Sequence, residues 1–208
     1  MKEFFYRPDN AWIGDVIPYY EDGEFKLFYL HGWRDNYREG LDHGWYLVGT
    51  KDFVDYREDG ACKIEGGTGH ILKADGIYHM FYCIFPPGKQ LVCHAMSSDL
   101  KTWEPIPEDT FAADDCIYEL SDWRDPFVFW NEEEGQYWML LAAMAKGPAN
   151  RKGCTALLSS KDLKTWEYRD PLYAPNLHVG AHECPDLFRI GDWWYLIYSS
   201  YTGRFATF

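Results

Sequence analysis

The sequence has little positive charge and no long apolar run. Its 208 residues carry 20 Lys and Arg against 33 Asp and Glu, which gives a formal net charge of −13. Nucleic acids and anionic membranes both require a basic surface, so we expect neither as a partner. No stretch approaches the roughly 20 apolar residues of a membrane-spanning helix, and the N-terminus has no apolar run of signal-peptide length. These absences predict a cytoplasmic protein that acts on a neutral small molecule.

The sequence also lacks the patterns of disulfide-rich and metal-binding proteins. Its six cysteines stand singly, with no CxxC pair and no grouping of Cys and His at zinc-ligand spacing. We therefore expect free, buried thiols. Neither a metal nor a cofactor is predicted.

Helical periodicity is almost absent, whereas aromatic residues make up 19% of the chain. This content favours a stack of short β-sheets, a surface that binds sugar rings, or both. No linker rich in Pro, Ser or charge divides the sequence. Residues 1–208 are therefore predicted to form one domain, or part of one.

One sequence element recurs along the chain: a turn glycine followed by alternating apolar residues, as in DGEFKLFYLH and DGIYHMFYCI. Each copy predicts a β-strand after a tight turn. The turn glycines Gly23, Gly76, Gly135 and Gly191 follow one another at intervals of 53 to 59 residues. Repeats of this length, with about four strands each, are typical of the blades that surround the central channel of a β-propeller. The predicted fold class is therefore all-β, of the β-propeller type.

The number of repeats predicts an incomplete propeller of about three and a half blades. A propeller that does not close exposes unpaired strand edges, which invite pairing with another chain. We therefore expect residues 1–208 to be a single partial β-propeller domain of a longer protein. The alternative is a homo-oligomer in which two copies complement each other.

A second repeat, SSDLKTWE at 97–104 and SSKDLKTWE at 159–167, recurs out of phase with the glycines. A weaker copy, GTKDFVDYRE, contains Asp52. Each blade needs the same turn and the same packing. We therefore interpret Asp99 and Asp162 as structural residues.

Three acidic residues stand shortly before the turn glycines: Asp15 in AWIGDVIPYY, Asp125 in WRDPFVFW and Glu183 in HECPDLF. They precede their glycines by 8, 10 and 8 residues. Equivalent positions on three inner strands point at one axis, so the three carboxyl groups are predicted to converge. Glycosidic bond cleavage needs a carboxylate at the anomeric carbon and a carboxylic acid at the leaving oxygen. The spacing therefore favours a glycosidase site, in which a third carboxylate holds sugar hydroxyls.

These motifs, in this order, resemble glycoside hydrolase family 32, the β-fructosidase and invertase group. They are Trp12-Ile13-Gly14-Asp15, Arg124-Asp125-Pro126 and Glu183-Cys184-Pro185. The resemblance implies a five-bladed β-propeller catalytic domain that cleaves β-fructosidic bonds in sucrose, fructo-oligosaccharides or fructans with retention of configuration. It also implies that Asp15 is the nucleophile, that Asp125 stabilises the transition state, and that Glu183 is the acid/base.

The first motif departs from the family pattern, which has Asn before the Asp and Pro-Asn-Gly after it. In this chain Gly14 precedes Asp15, and Val16 follows it. The substrate contact that an Asn amide would make is therefore absent, which leaves the identity of the fructoside open.

Further substrate-binding residues are predicted in and around the motifs. Tryptophan and histidine rings can stack on sugars, although a propeller also packs Trp between its blades. The candidates are Arg124, Trp12, Trp33, Trp45, Trp123 and His31.

Two alternatives stay open, both with a carbohydrate as the partner. A related propeller hydrolase of the arabinanase or xylosidase type would invert configuration, with its carboxyl groups about 6.5–9.5 Å apart instead of about 5–5.5 Å. A non-catalytic carbohydrate-binding propeller would bind sugar without turnover. The Arg-Asp-Pro and Glu-Cys motifs favour the fructosidase interpretation over the inverting enzyme.

Overall fold

The structure is a computed structural model that describes residues 6–9, 11–32, 43–148, 150–202 and 205–207. Its regular structure is almost entirely β-strand, arranged as four antiparallel sheets. Within these ranges, no helix has the length and apolar character that spanning a bilayer requires.

The first sheet illustrates how local sequence forms each hairpin. Asp22 and Gly23 make a two-residue turn between the first two strands, with φ of 51° and 77°. Positive φ at both positions matches the twist of the flanking strands, and Asp-Gly tolerates it well. The strands pair in chain order as β1 (Ile13–Glu21), β2 (Glu24–His31), β3 (Gly44–Thr50) and β4 (Tyr56–Ala61).

The second sheet repeats this arrangement. Asp75 and Gly76 form its first turn, with φ of 48° and 81°. A 3₁₀ turn at Pro107–Asp109 leads to a short extra strand that pairs with the third. The strands are β5 (Gly69–Ala74), β6 (Ile77–Ile84), β7 (Leu91–Ser97), β8 (Glu104–Pro105) and the extra strand β9 (Phe111–Ala112).

The third and fourth sheets also begin with a hairpin whose turn contains a predicted glycine. Gly135 and Gly191 lie in these turns, with φ of 63° and 61°. The third sheet contains β10 (Tyr118–Asn131), β11 (Gln136–Ala145), β12 (Gly153–Ser160) and β13 (Glu167–Tyr168). The fourth contains β14 (His182–Ile190), β15 (Trp193–Thr202) and β16 (Phe205–Thr207).

The four sheets are arranged as blades of a β-propeller. Their first strands β1, β5, β10 and β14 lie beside one another, each in contact with the next. Hydrophobic clusters separate neighbouring sheets, with Trp45 and Met80 in the first cluster and Trp123 and Leu141 in the second. The predicted all-β, incomplete propeller is therefore confirmed, because the described residues form three sheets of at least four strands and a fourth of three.

All six cysteines are free, as their isolated positions predict. Four of them are buried, but Cys116 and Cys184 are exposed. This corrects the expectation that every thiol is buried. Cys116 lies in the turn before β10, and Cys184 lines a cavity at the propeller axis.

The shorter sequence repeat forms the turn that follows the third strand of a blade. Asp99 Oδ1 accepts hydrogen bonds from the backbone N–H groups of Lys101 and Thr102, at 2.8 and 2.7 Å. Asp162 accepts the equivalent pair at 2.9 and 2.8 Å. These bonds satisfy backbone donors that the strand ladder leaves unpaired. The structural interpretation of both aspartates is therefore confirmed.

Candidate active site

The three predicted catalytic residues lie at irregularities in the first strands of their blades. Strand pairing changes register at Asp15 in β1, at Asp125 in β10, and directly after Glu183 in β14. A bulge leaves a residue outside the ladder and turns its side chain in a new direction. The backbone at Asp125 and Cys184 accordingly has positive φ, 55° and 48°.

These irregularities bring the three carboxyl groups to one cavity of about 260 Å³. Asp15, Asp125 and Glu183 line it together with Thr68, Phe85, Gln90, Arg124 and Cys184. A neighbouring cavity of about 220 Å³ shares Asp15 and Asp125 and extends to His70 and Asp186. The site therefore stands at the propeller axis, where the first strands meet.

A cavity of about 300 Å³ at the outer turn of the third sheet is slightly larger. It is lined by residues of the repeated turn, including Ser160 and Asp162, whose side chains already bond to the backbone of that turn. No acidic residues from separate blades converge there among the described residues. The size of this outer cavity reflects the geometry of the turn. We therefore assign the functional site to the cavities at the propeller axis.

Arg124 connects the carboxylates of the site. Its Nη2 lies 2.6 Å from Glu183 Oε1, and its Nη1 lies 2.8 Å from Asp122 Oδ1. Its Nε is 3.8 Å from Asp125 Oδ2. Burial lowers the pKa of this guanidinium, but the surrounding carboxylates more than compensate and raise its pKa overall. Arg124 is therefore a permanent cation that orients Glu183.

Asp125 is buried, with 7% of its surface exposed. Its Oδ2 accepts a 3.0 Å hydrogen bond from the Cys184 backbone N–H. Burial raises the pKa of Asp125 to about 6, against the lowering effect of Arg124 and of that hydrogen bond. The neighbouring carboxyl groups add to the rise. Near neutral pH this group accepts hydrogen bonds, and its carboxylate form is only moderately favoured.

Gln90 anchors the strand that carries Arg124. Its side-chain oxygen accepts a 2.8 Å hydrogen bond from the Trp123 backbone N–H and lies 3.5 Å from Arg124 Nη1. Within the described residues, no group of three or more His, Cys, Asp and Glu is arranged to hold a metal ion. Among the described residues that line this cavity, Arg124 carries the positive charge.

The structure corrects two of the predicted substrate-binding aromatics. Trp123 and Trp45 are 0% exposed, because their rings fill the cores between blades. Trp12 is 62% exposed but does not line the axial cavities, and the His31 ring stacks on Tyr46 at 4.1 Å. Trp33 lies outside the described residues.

Four residues of the cavity escaped the sequence prediction: Thr68, Phe85, Gln90 and Cys184. A signal for Thr68 was present. It precedes the turn glycine Gly76 by 8 residues, the same offset that separates Asp15 and Glu183 from their glycines. Because Thr68 is not acidic, the pattern of acidic residues does not extend to the second blade.

Comparison with known proteins agrees with this geometry. Residues 113–203 match the family model described as Glycosyl hydrolases family 32 N-terminal domain. The chain is 28% identical to a sucrose-6-phosphate hydrolase of Vibrio alginolyticus, over 86% of this chain and 38% of the relative. It is 26% identical to a levanase of Bacillus subtilis, over 90% of this chain and 29% of the relative.

A solved structure with the same fold is that of a Bombyx mori GH32 beta-fructofuranosidase. It superposes with a TM-score of 0.74 at 20% identity, and the match covers 94% of this chain and 43% of the other. The chain thus spans well under half the length of these relatives. The shared fold is the five-bladed β-propeller. The family match over residues 113–203 and the curated relatives show that the chain is similar to glycoside hydrolase family 32, and the order of its acidic motifs agrees with that similarity.

Proposed function

We propose that the protein hydrolyses β-fructosidic bonds with retention of configuration. The observation that carries this proposal is the convergence of Asp15, Asp125 and Glu183 from three blades on one cavity. The names of the relatives, sucrose-6-phosphate hydrolase and levanase, support a fructosyl substrate. Sucrose, fructo-oligosaccharides and fructans are the substrates to test.

In the proposed reaction, a carboxylate oxygen of Asp15 attacks the anomeric carbon of the fructosyl unit. The bond to the leaving oxygen breaks as that oxygen takes a proton from Glu183. Water then attacks the fructosyl ester while Glu183 accepts a proton, which releases fructose and restores both carboxyl groups. Asp15 and Glu183 can cooperate in this way because both line the same cavity.

Asp125 and Arg124 have supporting roles in this proposal. Asp125 accepts hydrogen bonds from fructosyl hydroxyls, and these bonds strengthen as positive charge develops on the ring. The 2.6 Å contact between Arg124 and Glu183 fixes the acid/base in one orientation. A bridging guanidinium suits this task because its donors are held in a rigid plane.

The proposal is tested by fructose release from sucrose, inulin and levan. We expect Asp15→Asn and Glu183→Gln each to lower kcat/KM by at least about a thousandfold. Glu132→Gln is the matched control, because this exposed carboxylate lies in the turn between β10 and β11. It should leave the rate unchanged.

Three results would contradict parts of the proposal. Release of fructose by both variants at the wild-type rate would remove Asp15 and Glu183 from the chemistry. A first-formed product of inverted configuration would favour the arabinanase or xylosidase type of mechanism. Sugar binding without turnover on fructosides, arabinan and xylan would indicate a carbohydrate-binding propeller.

A further inference from the structure

We infer that Thr68 is a positioning residue for Asp15, and that the segment Gly66-Gly67-Thr68-Gly69 is built to hold its hydroxyl in place. This inference rests on the proposed function, in which Asp15 is the nucleophile. The Thr68 hydroxyl donates a hydrogen bond to Asp15 Oδ2. Both residues line both axial cavities.

The glycines around Thr68 are required by close packing. A Cβ atom at Gly69 would lie 1.8 Å from the Phe81 carbonyl oxygen, and one at Gly66 would lie 2.7 Å from the Cys83 carbonyl oxygen. A Cβ at Gly67 would meet the Phe85 ring at 2.7 Å. Any side chain at these positions would push the segment away from β6. Within residues 66–69, Thr68 is therefore the one residue that presents a side chain to the axis.

Hydrogen bonds anchor the segment on both sides of the threonine. The Gly67 N–H donates to the Cys83 carbonyl at 2.7 Å, and the Cys83 thiol donates to the Thr68 carbonyl at 3.4 Å. The Trp45 indole N–H donates to the Gly67 carbonyl at 3.1 Å. Trp45 thus contributes to the site through this segment, although its ring is buried in the core. Backbone held in this way leaves the Thr68 hydroxyl little freedom.

The hydroxyl has a defined task in the proposed reaction. One carboxylate oxygen of Asp15 is held by Thr68, which leaves the other oxygen to form the bond to the anomeric carbon. A nucleophile with a fixed orientation reacts faster, because less motion must be lost on the way to the transition state. Thr68 acts through Asp15 and takes no part in proton transfer to the leaving oxygen.

The test compares Thr68→Val, which removes the hydroxyl at nearly constant volume, with Thr68→Ser, which keeps it. We expect Thr68→Val to lower kcat by about 10- to 100-fold with KM nearly unchanged. Thr68→Ser should stay within a few-fold of wild type. Thr102→Val is the matched control, because Thr102 also donates to an aspartate, Asp99 at 3.3 Å, far from the cavity.

A fructoside with a better leaving group distinguishes the role of Thr68, which acts on the nucleophile Asp15, from that of Glu183, which donates the proton. Such a substrate needs little proton donation, so it should restore much of the first chemical step in Glu183→Gln. It should restore none in Thr68→Val or Asp15→Asn, since these changes affect the nucleophile. Recovery of Thr68→Val by this substrate would overturn the inference. So would wild-type kcat in Thr68→Val, or an equal loss in Thr68→Ser.

An activity-independent readout distinguishes failure of this inference from failure of the proposed function. The carboxyl ¹³C resonance of Asp15, assigned by its loss in Asp15→Asn, should shift in Thr68→Val and return in Thr68→Ser. If wild-type protein releases no fructose but the resonance behaves in this way, the positioning role stands and the fructosidase proposal fails. An unshifted resonance in Thr68→Val would overturn the positioning role in either case.

Discussion

At the scale of single residues, burial and neighbouring charges shift the pKa values of two adjacent residues, Arg124 and Asp125. Burial disfavours the charged form of each, yet Arg124 faces several carboxylates and Asp125 lies among like charges. The outcome is a permanent cation beside a carboxyl group whose pKa is about 6. Such pairs of shifted groups are typical of functional sites.

We predict that Asp125→Asn stabilises the fold at pH 7.5 while removing activity. The pKa of Asp125 rises from 3.8 to about 6 on folding, so the folded state favours the protonated form. Ionisation therefore costs stability as pH rises from about 4 to 6, and the full cost, roughly 1–3 kcal/mol, applies above pH 6. Urea unfolding of the wild-type protein and of Asp125→Asn at pH 4 and pH 7.5 measures this cost. Equal differences at the two pH values would contradict the burial argument.

We predict that Arg124→Lys lowers kcat/KM by about tenfold or more, because one ammonium group cannot bridge the carboxylates of Asp122 and Glu183 at 2.8 and 2.6 Å. Steady-state kinetics on the preferred fructoside provides the measurement. Arg57→Lys is the control, since Arg57 also pairs with a carboxylate, Asp59 at 2.8 Å, on the first sheet. A wild-type rate in Arg124→Lys would show that a single ammonium group can replace Arg124, and an equal loss in Arg57→Lys would show that the effect is not specific to the site.

At the scale of the structural element, two devices recur from blade to blade. Bulges on β1, β10 and β14 direct side chains to the axis. Aspartate-capped turns after β7 and β12 close the outer edge. The bulges position the side chains of the site, and the capped turns stabilise the fold.

We predict that Asp162→Ala destabilises the protein by about 1–2 kcal/mol, because two backbone N–H groups lose their acceptor. Hydrogen bonds from the Thr165 and Lys164 backbone lower the pKa of Asp162, so this stabilisation is present above the ordinary pKa of an aspartate. It disappears as pH falls through the lowered value. Urea unfolding at pH 7 tests it, with Lys161→Ala, an exposed residue of the same turn, as control. An equal loss in the control would contradict the prediction.

The strand order was readable from the sequence because turn glycines and alternating apolar residues are local signals. The convergence of Asp15, Asp125 and Glu183 followed from their offsets to those glycines. The burial of Trp45 and Trp123 did not follow, because each ring packs against residues distant in sequence. Thr68 was missed for a different reason: its offset was visible, but its chemistry depends on contact with Asp15.

At the scale of the whole molecule, the propeller joins four sheets through their first strands and through the cores between them. The fourth sheet exposes apolar side chains, including Trp193 at 73% and Ile190 at 61%. Self-association through blade edges and a cytoplasmic location both stay predictions. The net charge of −13 suits a neutral sugar substrate better than an anionic polymer.

The measurement that tests the central claim most directly is a search for a covalent fructosyl group on Asp15. In Glu183→Gln, an activated fructoside should still form the ester, while hydrolysis slows because the base is absent. Peptide mass spectrometry should then find one fructosyl unit on the peptide that contains Asp15, and none in Asp15→Asn. Turnover of the activated substrate without any adduct, and with inversion of configuration, would contradict the account.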